Sequence, residues 1–181
     1  YDKFHTSAPG CFNDIDMLVV GLGGNGNVAR PGGCTKEAYK MHFVLWCLWG
    51  APLMIGADIR NLDEYYRDLL TNKELIRINQ DPECHPPYCD ERQRYHATHA
   101  RLSCVKMMDN GELVLALLNY WDDQDLEVLA YFDDFGIPSG KGIGLKLTDI
   151  FTGETFTKFD FFTPRLPAMT CKVYKAEIVR R

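Results

Sequence analysis

The sequence predicts an α/β segment followed by an all-β segment, because its hydrophobic pattern changes near the middle of the chain. In the first part, the short apolar runs 17–20 and 53–56 flank the stretch 36–49, which has helical length and spacing. Beyond residue 95, apolar residues alternate with polar ones and turn sequences separate the runs. Strands that alternate with helices are typical of a parallel sheet, and serial strands joined by tight turns are typical of an antiparallel β-sandwich.

Asp14 and Asp16 stand just before the apolar run Met17–Val20, which ends at Gly21. We expect a buried strand over 13–20, in which residues two apart point to the same face. The two carboxylates then have two interpretations. They cap loops by binding backbone amides, or they form part of a site, because a charge on a buried face is costly unless it is paired or used.

The stretch 36–49 is predicted to be a helix with Thr35 as its N-cap and Gly50 at its end. The loop 22–34 before it is rich in glycine and is interpreted equally well as a binding loop or as a surface insertion. A further helix is expected over 62–70, where Asn61 and Glu64 resemble a capping box. A last helical turn or two is expected over 73–78.

The remainder of the chain is predicted to be antiparallel. The turn sequences Asp109-Asn110-Gly111 and Thr152-Gly153 are typical of hairpins. The expected strands are 98–108, 112–120, 126–132, 145–151, 154–161 and 169–179.

Charge and hydropathy exclude several function classes. The net charge is −5, which argues against a nucleic-acid partner or an anionic membrane surface. No apolar run approaches the roughly 20 residues that a membrane helix needs. The chain begins Tyr1-Asp2-Lys3, without a methionine or a signal sequence, so we expect a piece of a longer protein.

The seven cysteines are an odd number. Cys47, Cys104 and Cys171 fall in helix or strand patterns and read as small core residues, which favours a reducing compartment such as the cytoplasm. Cys84 and Cys89 are followed by histidines in a spacing that can bind zinc but departs from the common patterns, so we expect no metal site there. The accompanying histidines are His85, His96 and His99.

The block 13–18, Asn-Asp-Ile-Asp-Met-Leu, resembles the Asn-Asp-Pro-Asp-Met-Leu motif of the α-galactosidases of glycoside hydrolase family 27, with Ile15 where proline is usual. The resemblance is specific over residues 8–82, because several separate blocks match in order. The further blocks are His42-Phe43, Leu45-Trp46, Ala51-Pro52-Leu53, Asp58-Ile59-Arg60 and Ile78-Asn79-Gln80-Asp81.

The resemblance implies a fold. Residues 1–82 would be the last two strand–helix units of a (β/α)8 TIM barrel, 83–94 a linker, and 95–181 an antiparallel β-sandwich domain. The stretches 13–20 and 53–56 would then be neighbouring parallel strands with a right-handed connection.

The resemblance also implies an activity, the retaining hydrolysis of a terminal α-linked galactose without a cofactor. In that family the nucleophile and the acid/base lie on earlier strands, so this chain contains no catalytic residue and is expected to be inactive alone. One alternative is a non-catalytic module that binds carbohydrate or only packs. A second alternative is a related α-N-acetylgalactosaminidase. The sequence does not distinguish galactose from N-acetylgalactosamine or arabinopyranose as the preferred sugar.

By the same resemblance, Asp16 and Met17 line the sugar pocket at the C-terminal end of the barrel strands, and Asp14 is structural. Asp58 and Arg60 come at the corresponding end of the next strand, where a local ion pair is expected. The expected partners are an α-galactoside and the remainder of the parent barrel, without nucleic acid or membrane. A homo-oligomer is left open.

Overall fold

The computed structural model describes residues 6–24, 33–90 and 100–181. The chain divides into two compact units, Asp2–Pro86 and Pro87–Arg181, which are described separately. Within the described ranges, no helix has both the length and the apolar character needed to cross a bilayer. The boundaries 1–82, 83–94 and 95–181 stay a prediction, and a short strand occupies part of the expected linker.

Among its described residues, the first unit contains three helices, α1 (Lys36–Trp49), α2 (Glu64–Leu70) and α3 (Lys73–Asn79), and a 3-10 turn at Ile59–Asn61. Helix α1 begins and ends as predicted. The Thr35 hydroxyl accepts a hydrogen bond from Ala38 N at 3.1 Å, and Gly50 ends the helix with φ 63°. Glycine tolerates this left-handed conformation, which favours it just after a helix.

The predicted N-cap of α2 is wrong by two residues. Asp63 caps the helix, because its carboxylate accepts a hydrogen bond from Tyr65 N at 2.9 Å. Asn61 instead closes the 3-10 turn, which Asp58 caps through Arg60 N. The capping-box spacing from Asn61 to Glu64 therefore does not mark the start of α2, which Asp63 caps.

The apolar run after Asp16 pairs with the run after Ala51 in parallel, through a single bridge between Leu18 and Ile55. Leu18 N donates to Met54 O at 2.7 Å, and Gly56 N donates to Leu18 O at 2.8 Å. The predicted parallel pairing is therefore confirmed at this bridge. The predicted strand 13–20 is wrong in extent, because Asp16 has φ 77°, which an extended strand does not contain.

Helix α1 supplies most of the apolar contact of the first unit. Phe43, Val44 and Leu48 are fully buried, as are Leu18 and Val20 on the run after Asp16. Hydrogen bonds join the C-terminal end of α1 to α3. Asn79 Nδ2 donates to Ala51 O at 2.8 Å and to Trp46 O at 3.3 Å. The carbonyls at the end of α1 thus find a donor in a side chain of α3.

The described part of the second unit contains ten strands, and its main sheet has the order β1-β2-β3-β10-β6-β7 with every neighbouring pair antiparallel. The predicted Asn110–Gly111 and Gly153 hairpins join β2 to β3 and β6 to β7. The strands are β1 (Tyr88–Cys89), β2 (Arg101–Met107), β3 (Leu113–Asn119), β4 (Leu126–Glu127), β5 (Ala130–Tyr131), β6 (Ile143–Asp149), β7 (Thr155–Phe159), β8 (Phe161–Phe162), β9 (Arg165–Leu166) and β10 (Thr170–Arg180).

A second layer covers one face of this sheet. It consists of two small antiparallel ladders, β4 with β9 and β5 with β8. Val128, Phe132 and Leu166 from this layer pack with Leu115 and Leu147 of the sheet in one buried cluster. Two antiparallel layers around an apolar core form the arrangement that the sequence predicted as a β-sandwich.

The single strand predicted over 126–132 is wrong. The segment divides into β4 and β5, which pair with different strands, and a 3-10 turn begins at Phe132. The strand pattern within 126–132 is genuine, but the partners β8 and β9 are only two residues long each. No short alternation in the sequence marks strands of that length.

Asn119 joins β3 to the second layer and is fully buried. Its amide nitrogen donates to Gln124 O at 2.8 Å and to the carbonyls of Leu166 and Pro167 at 3.0 Å each. Its Oδ1 accepts from Trp121 N at 3.0 Å. One fully buried side chain therefore hydrogen bonds to backbone groups of residues 121 and 124 and of residues 166 and 167, so that its own polar atoms are satisfied.

We expect Asn119→Ala to lower the free energy of unfolding of the 181-residue chain by about 2–4 kcal/mol, because a fully buried amide loses hydrogen bonds that join β3 to two other segments. Asn110→Ala is the matched control, since Asn110 makes one exposed hydrogen bond to Glu112 N at 3.0 Å. Its loss should be about 1 kcal/mol or less. Urea unfolding followed by circular dichroism measures both, and similar small losses in the two variants would contradict the role of Asn119.

Candidate functional site

The two carboxylates of the motif fold into one tight turn. Asp14 Oδ1 accepts a hydrogen bond from Asp16 N at 2.9 Å, and Asp16 Oδ1 accepts from Met17 N at 2.7 Å. Asp16 has φ 77°, a left-handed conformation that aspartate adopts more readily than most residues. Both side chains are exposed, so the expected alternation on a shared strand face does not occur.

Each carboxylate uses only one of its two oxygens for hydrogen bonds within the described part of the chain. Among residues 6–24, 33–90 and 100–181, Oδ2 of Asp14 and Oδ2 of Asp16 accept no hydrogen bond. Asp14 uses its bonded oxygen to fix the backbone of the next turn, whereas Asp16 uses its own to fix Met17. The second carboxylate is therefore the one held in place by the first.

Side chains of helix α1 hydrogen bond to the backbone of the irregular segment 16–19. Trp46 Nε1 donates to Asp16 O at 2.8 Å, and Val19 N donates to His42 Nε2 at 3.1 Å. The His42 and Trp46 rings lie 3.8 Å apart between centroids at an angle of 44°, as expected for neighbours at i and i+4. The chain from Asp16 to Val19 is thus fixed at both ends by one helix.

The same face of α1 reaches the glycine loop that follows. Tyr39 OH accepts a hydrogen bond from Gly23 N at 3.1 Å. Positions 39, 42 and 46 follow the spacing of three and four residues that places side chains on one face of a helix. These three polar atoms therefore contact backbone groups before, within and after the apolar run.

Met17 lies at the surface of this site with 45% of its side chain exposed. It packs over Gly56, where an added Cβ would come within 2.6 Å of Met17 Sδ. The absence of a side chain at position 56 gives the thioether its place. A side chain of this kind offers an apolar, polarizable contact to a ligand.

Asp58 and Arg60 form a two-pronged ion pair. Arg60 Nε donates to Asp58 Oδ1 and Arg60 Nη2 donates to Asp58 Oδ2, both at 2.8 Å. The hydrogen bonds from Arg60 hold the pKa of Asp58 below its usual value. This pair follows Ile55 along the chain, whereas Asp16 and Met17 precede its bridge partner Leu18. The two pairs therefore lie at opposite ends of the paired runs. The resemblance had implied corresponding ends, and this expectation is wrong.

His42 is a residue of this site to which sequence reasoning assigned no role. Burial lowers the pKa of His42 from its ordinary 6.5 to about 4, so the ring is neutral near pH 7. Neutrality suits its contact, because Nε2 must carry a lone pair to accept the hydrogen bond from Val19 N. The available signal was a histidine that lies four residues before a tryptophan and directly precedes the apolar end of the helix, residues 43–49.

The cysteine and histidine cluster does not assemble within the described part of the chain. Cys84 Sγ donates to the carbonyl oxygens of Asp81 and Pro82 at 3.5 and 3.6 Å. His96 and His99 lie outside the described residues. In the ranges that the structure does describe, no three of the metal-binding side chain types converge on a common point.

Comparison with known proteins agrees with the motif. Residues 2–81 match the family model described as alpha galactosidase A. Alpha-galactosidase 2 of Arabidopsis thaliana is 49% identical over 73 residues, which are 40% of this chain and 16% of that protein. The chain thus spans a small part of the length of the curated relatives that it matches.

Solved structures extend the similarity to the whole chain. A Bacteroides fragilis protein assigned as an α-galactosidase/melibiase superposes with a TM-score of 0.78 at 30% identity, over 96% of this chain and 36% of that one. A structure of α-galactosidase from Saccharomyces cerevisiae with raffinose superposes with a TM-score of 0.71, over 93% of this chain and 47% of that one. At 18% identity, the second likeness concerns the fold alone.

The match of residues 2–81 and the superposed fold make this chain similar to the α-galactosidase class of glycoside hydrolases. The chain resembles a C-terminal part of an α-galactosidase-like protein.

The lowered pKa of His42 makes stability depend on pH. As the pH falls, the unfolded chain takes up the proton near pH 6.5, whereas the folded chain does so only near pH 4. This group therefore costs no stability above pH 6.5, and its cost grows as the pH falls from 6.5 to 4. Since the ring is partly exposed, we expect a cost of about 1–3 kcal/mol at the acid end.

His42→Gln should remove this pH dependence, because the amide oxygen can still accept a hydrogen bond but does not titrate in that window. The measurement is the free energy of unfolding of the variant and the parent chain at several pH values between 4 and 7.5. His85→Gln is the control, since His85 is exposed beside Glu83. Parallel pH profiles for the parent and His42→Gln would contradict the assignment.

Proposed function

We propose that the chain belongs to a retaining glycoside hydrolase that removes terminal α-linked galactose. We further propose that it supplies the last two strand–helix units of a (β/α)8 barrel and the β-sandwich domain that follows. The observation that carries the proposal is the match of residues 2–81 to the alpha galactosidase A family model. That match includes the turn that holds Asp16 and Met17.

In this proposal Asp16 binds the sugar. Its Oδ1 is used by Met17 N, which leaves Oδ2 to accept a hydrogen bond from a sugar hydroxyl or to hold a nearby cation. A hydrogen bond to a charged group is worth about 1.5–3 kcal/mol. The anchor from Trp46 Nε1 to Asp16 O supports this role, since a fixed backbone keeps the carboxylate in one orientation.

Met17 provides the apolar contact beside it. Its exposed thioether lies against Gly56, and its backbone nitrogen is held by Asp16. Sugar rings have one face of C–H groups, and such faces bind apolar side chains by contact rather than by hydrogen bonds. Asp16 and Met17 together offer one polar and one apolar contact to a single ring.

Asp14 and Asp16 do not make a catalytic pair in this proposal. Retaining glycosidases use two carboxyl groups about 5–5.5 Å apart on either side of the scissile bond. Asp14 and Asp16 belong to a single turn, in which Asp14 binds the backbone of Asp16. The nucleophile and the acid/base would come from earlier strands of the parent protein, and the chain alone would bind or pack without cleaving.

Galactose is the favoured sugar, since the sequence relative reported above is an α-galactosidase. An α-galactoside sugar or oligosaccharide is accordingly the proposed partner. A panel of aryl glycosides with the full-length protein tests this choice. We expect the p-nitrophenyl α-galactoside to be hydrolysed faster than the α-N-acetylgalactosaminide or the β-L-arabinopyranoside, and the reverse order would overturn the sugar assignment.

We expect Asp16→Asn to lower kcat/KM of the full-length protein by about 10- to 100-fold, because the amide keeps the shape but loses the charge. Asp14→Asn is the matched control. It should lower the melting temperature, through a weaker hydrogen bond to Asp16 N, more than it lowers kcat/KM. Full activity in Asp16→Asn with inactivation of a well-folded Asp14→Asn would reverse the assignment.

A further inference from the structure

Two cysteines face each other at the edge of the main sheet. Strand β1 is the edge strand, and Cys89 on β1 is the register partner of Cys104 on β2. The hydrogen bond from Asp90 N to Ser103 O, at 3.0 Å, identifies the next pair along as a hydrogen-bonded one. Because such pairs alternate in an antiparallel ladder, Cys89 and Cys104 occupy a non-hydrogen-bonded pair.

This position suits a covalent link. Residues at a non-hydrogen-bonded pair have Cα atoms about 4.5 Å apart and side chains closer than at the alternate site. Disulfides span Cα separations of about 4.4–6.8 Å. The backbone of β1 and β2 therefore presents the two cysteines at a separation that a disulfide accepts.

The two thiols differ in their surroundings. Hydrogen bonding with the neighbouring Cys89 side chain and burial raise the pKa of the Cys104 thiol well above its usual value. Cys104 is fully buried, whereas Cys89 is only partly buried and its Sγ also donates to Pro87 O at 3.7 Å. Cys89 is thus the thiol that a small molecule reaches first.

We propose that Cys89 and Cys104 form an intramolecular disulfide by exchange with a low-molecular-weight disulfide such as oxidised glutathione. The Cys89 thiolate attacks one sulfur of oxidised glutathione, which forms a mixed disulfide and releases one glutathione thiol. Cys104 loses its proton to solvent and attacks Cys89 Sγ, which releases the second glutathione. Two protein thiols are oxidised and one glutathione disulfide is reduced, so atoms and electrons balance.

The disulfide would fasten the edge of the sheet. Strand β1 has two residues and is held to the sheet by β2 alone. A covalent link between them closes the chain from Cys89 to Cys104 and removes conformations from the unfolded state. This inference concerns the sandwich unit and does not depend on the sugar-binding proposal.

The test is peptide mapping of the 181-residue chain after incubation with oxidised or reduced glutathione. Trypsin releases residues 78–92, which contain Cys84 and Cys89, and residues 102–106, which contain Cys104. We expect the oxidised sample to contain these two peptides joined, with fragment ions that place the link at Cys89. We also expect its melting temperature to rise by about 5–15 °C over the reduced sample.

Cys84→Ser is the matched control and should keep the joined peptide, whereas Cys89→Ser should lose it. Fragment ions from the parent chain locate the bond even where a variant does not fold. A link at Cys84, or residues 102–106 left unlinked in folded, oxidised protein, would overturn the proposal. An oxidised sample with an unchanged or lower melting temperature would overturn the expected fastening of β1.

Discussion

The candidate site depends on side chains of one helix that hydrogen bond to the backbone of an irregular segment. Trp46 Nε1 binds Asp16 O, and His42 Nε2 accepts from Val19 N. The bridge at Leu18 provides two backbone hydrogen bonds, which alone would not fix the turn before it. Because α1 is also buried through Phe43 and Val44, the helix is rigid enough to impose its geometry on the turn.

This arrangement gives the carboxylates of Asp14 and Asp16 different hydrogen-bond partners, which a regular strand would not do. A strand that continued to residue 13 would place Asp14 and Asp16 on one face in similar surroundings. The left-handed residue Asp16 instead gives the first carboxylate a backbone donor and leaves the second exposed. A positive φ at an aspartate costs some energy, and such conformations persist where the surroundings enforce them. Here the surroundings are the donors and acceptors of α1.

Several elements were predictable because local signals decide them. Thr35 and Gly50 bound α1, and the Asn110–Gly111 turn directs a hairpin, through chemistry that acts within a few residues. The turn at Asp16 was not predictable, since it requires a tryptophan thirty residues away. The division of 126–132 also depends on remote partners, Phe162 for Ala130 and Leu166 for Leu126. Asp16 and Met17 came from the motif alone, and nothing in their spacing indicated His42.

Asn119 has a consequence for how the sandwich unit opens. Its amide ties the end of β3 to residue 124 on one side and to residues 166 and 167 on the other. Displacement of this one side chain breaks the hydrogen bonds of both segments at once, so their opening is coupled although about forty residues separate them. In native-state hydrogen exchange, amides of such linked segments open together with a common free energy rather than fraying one after the other.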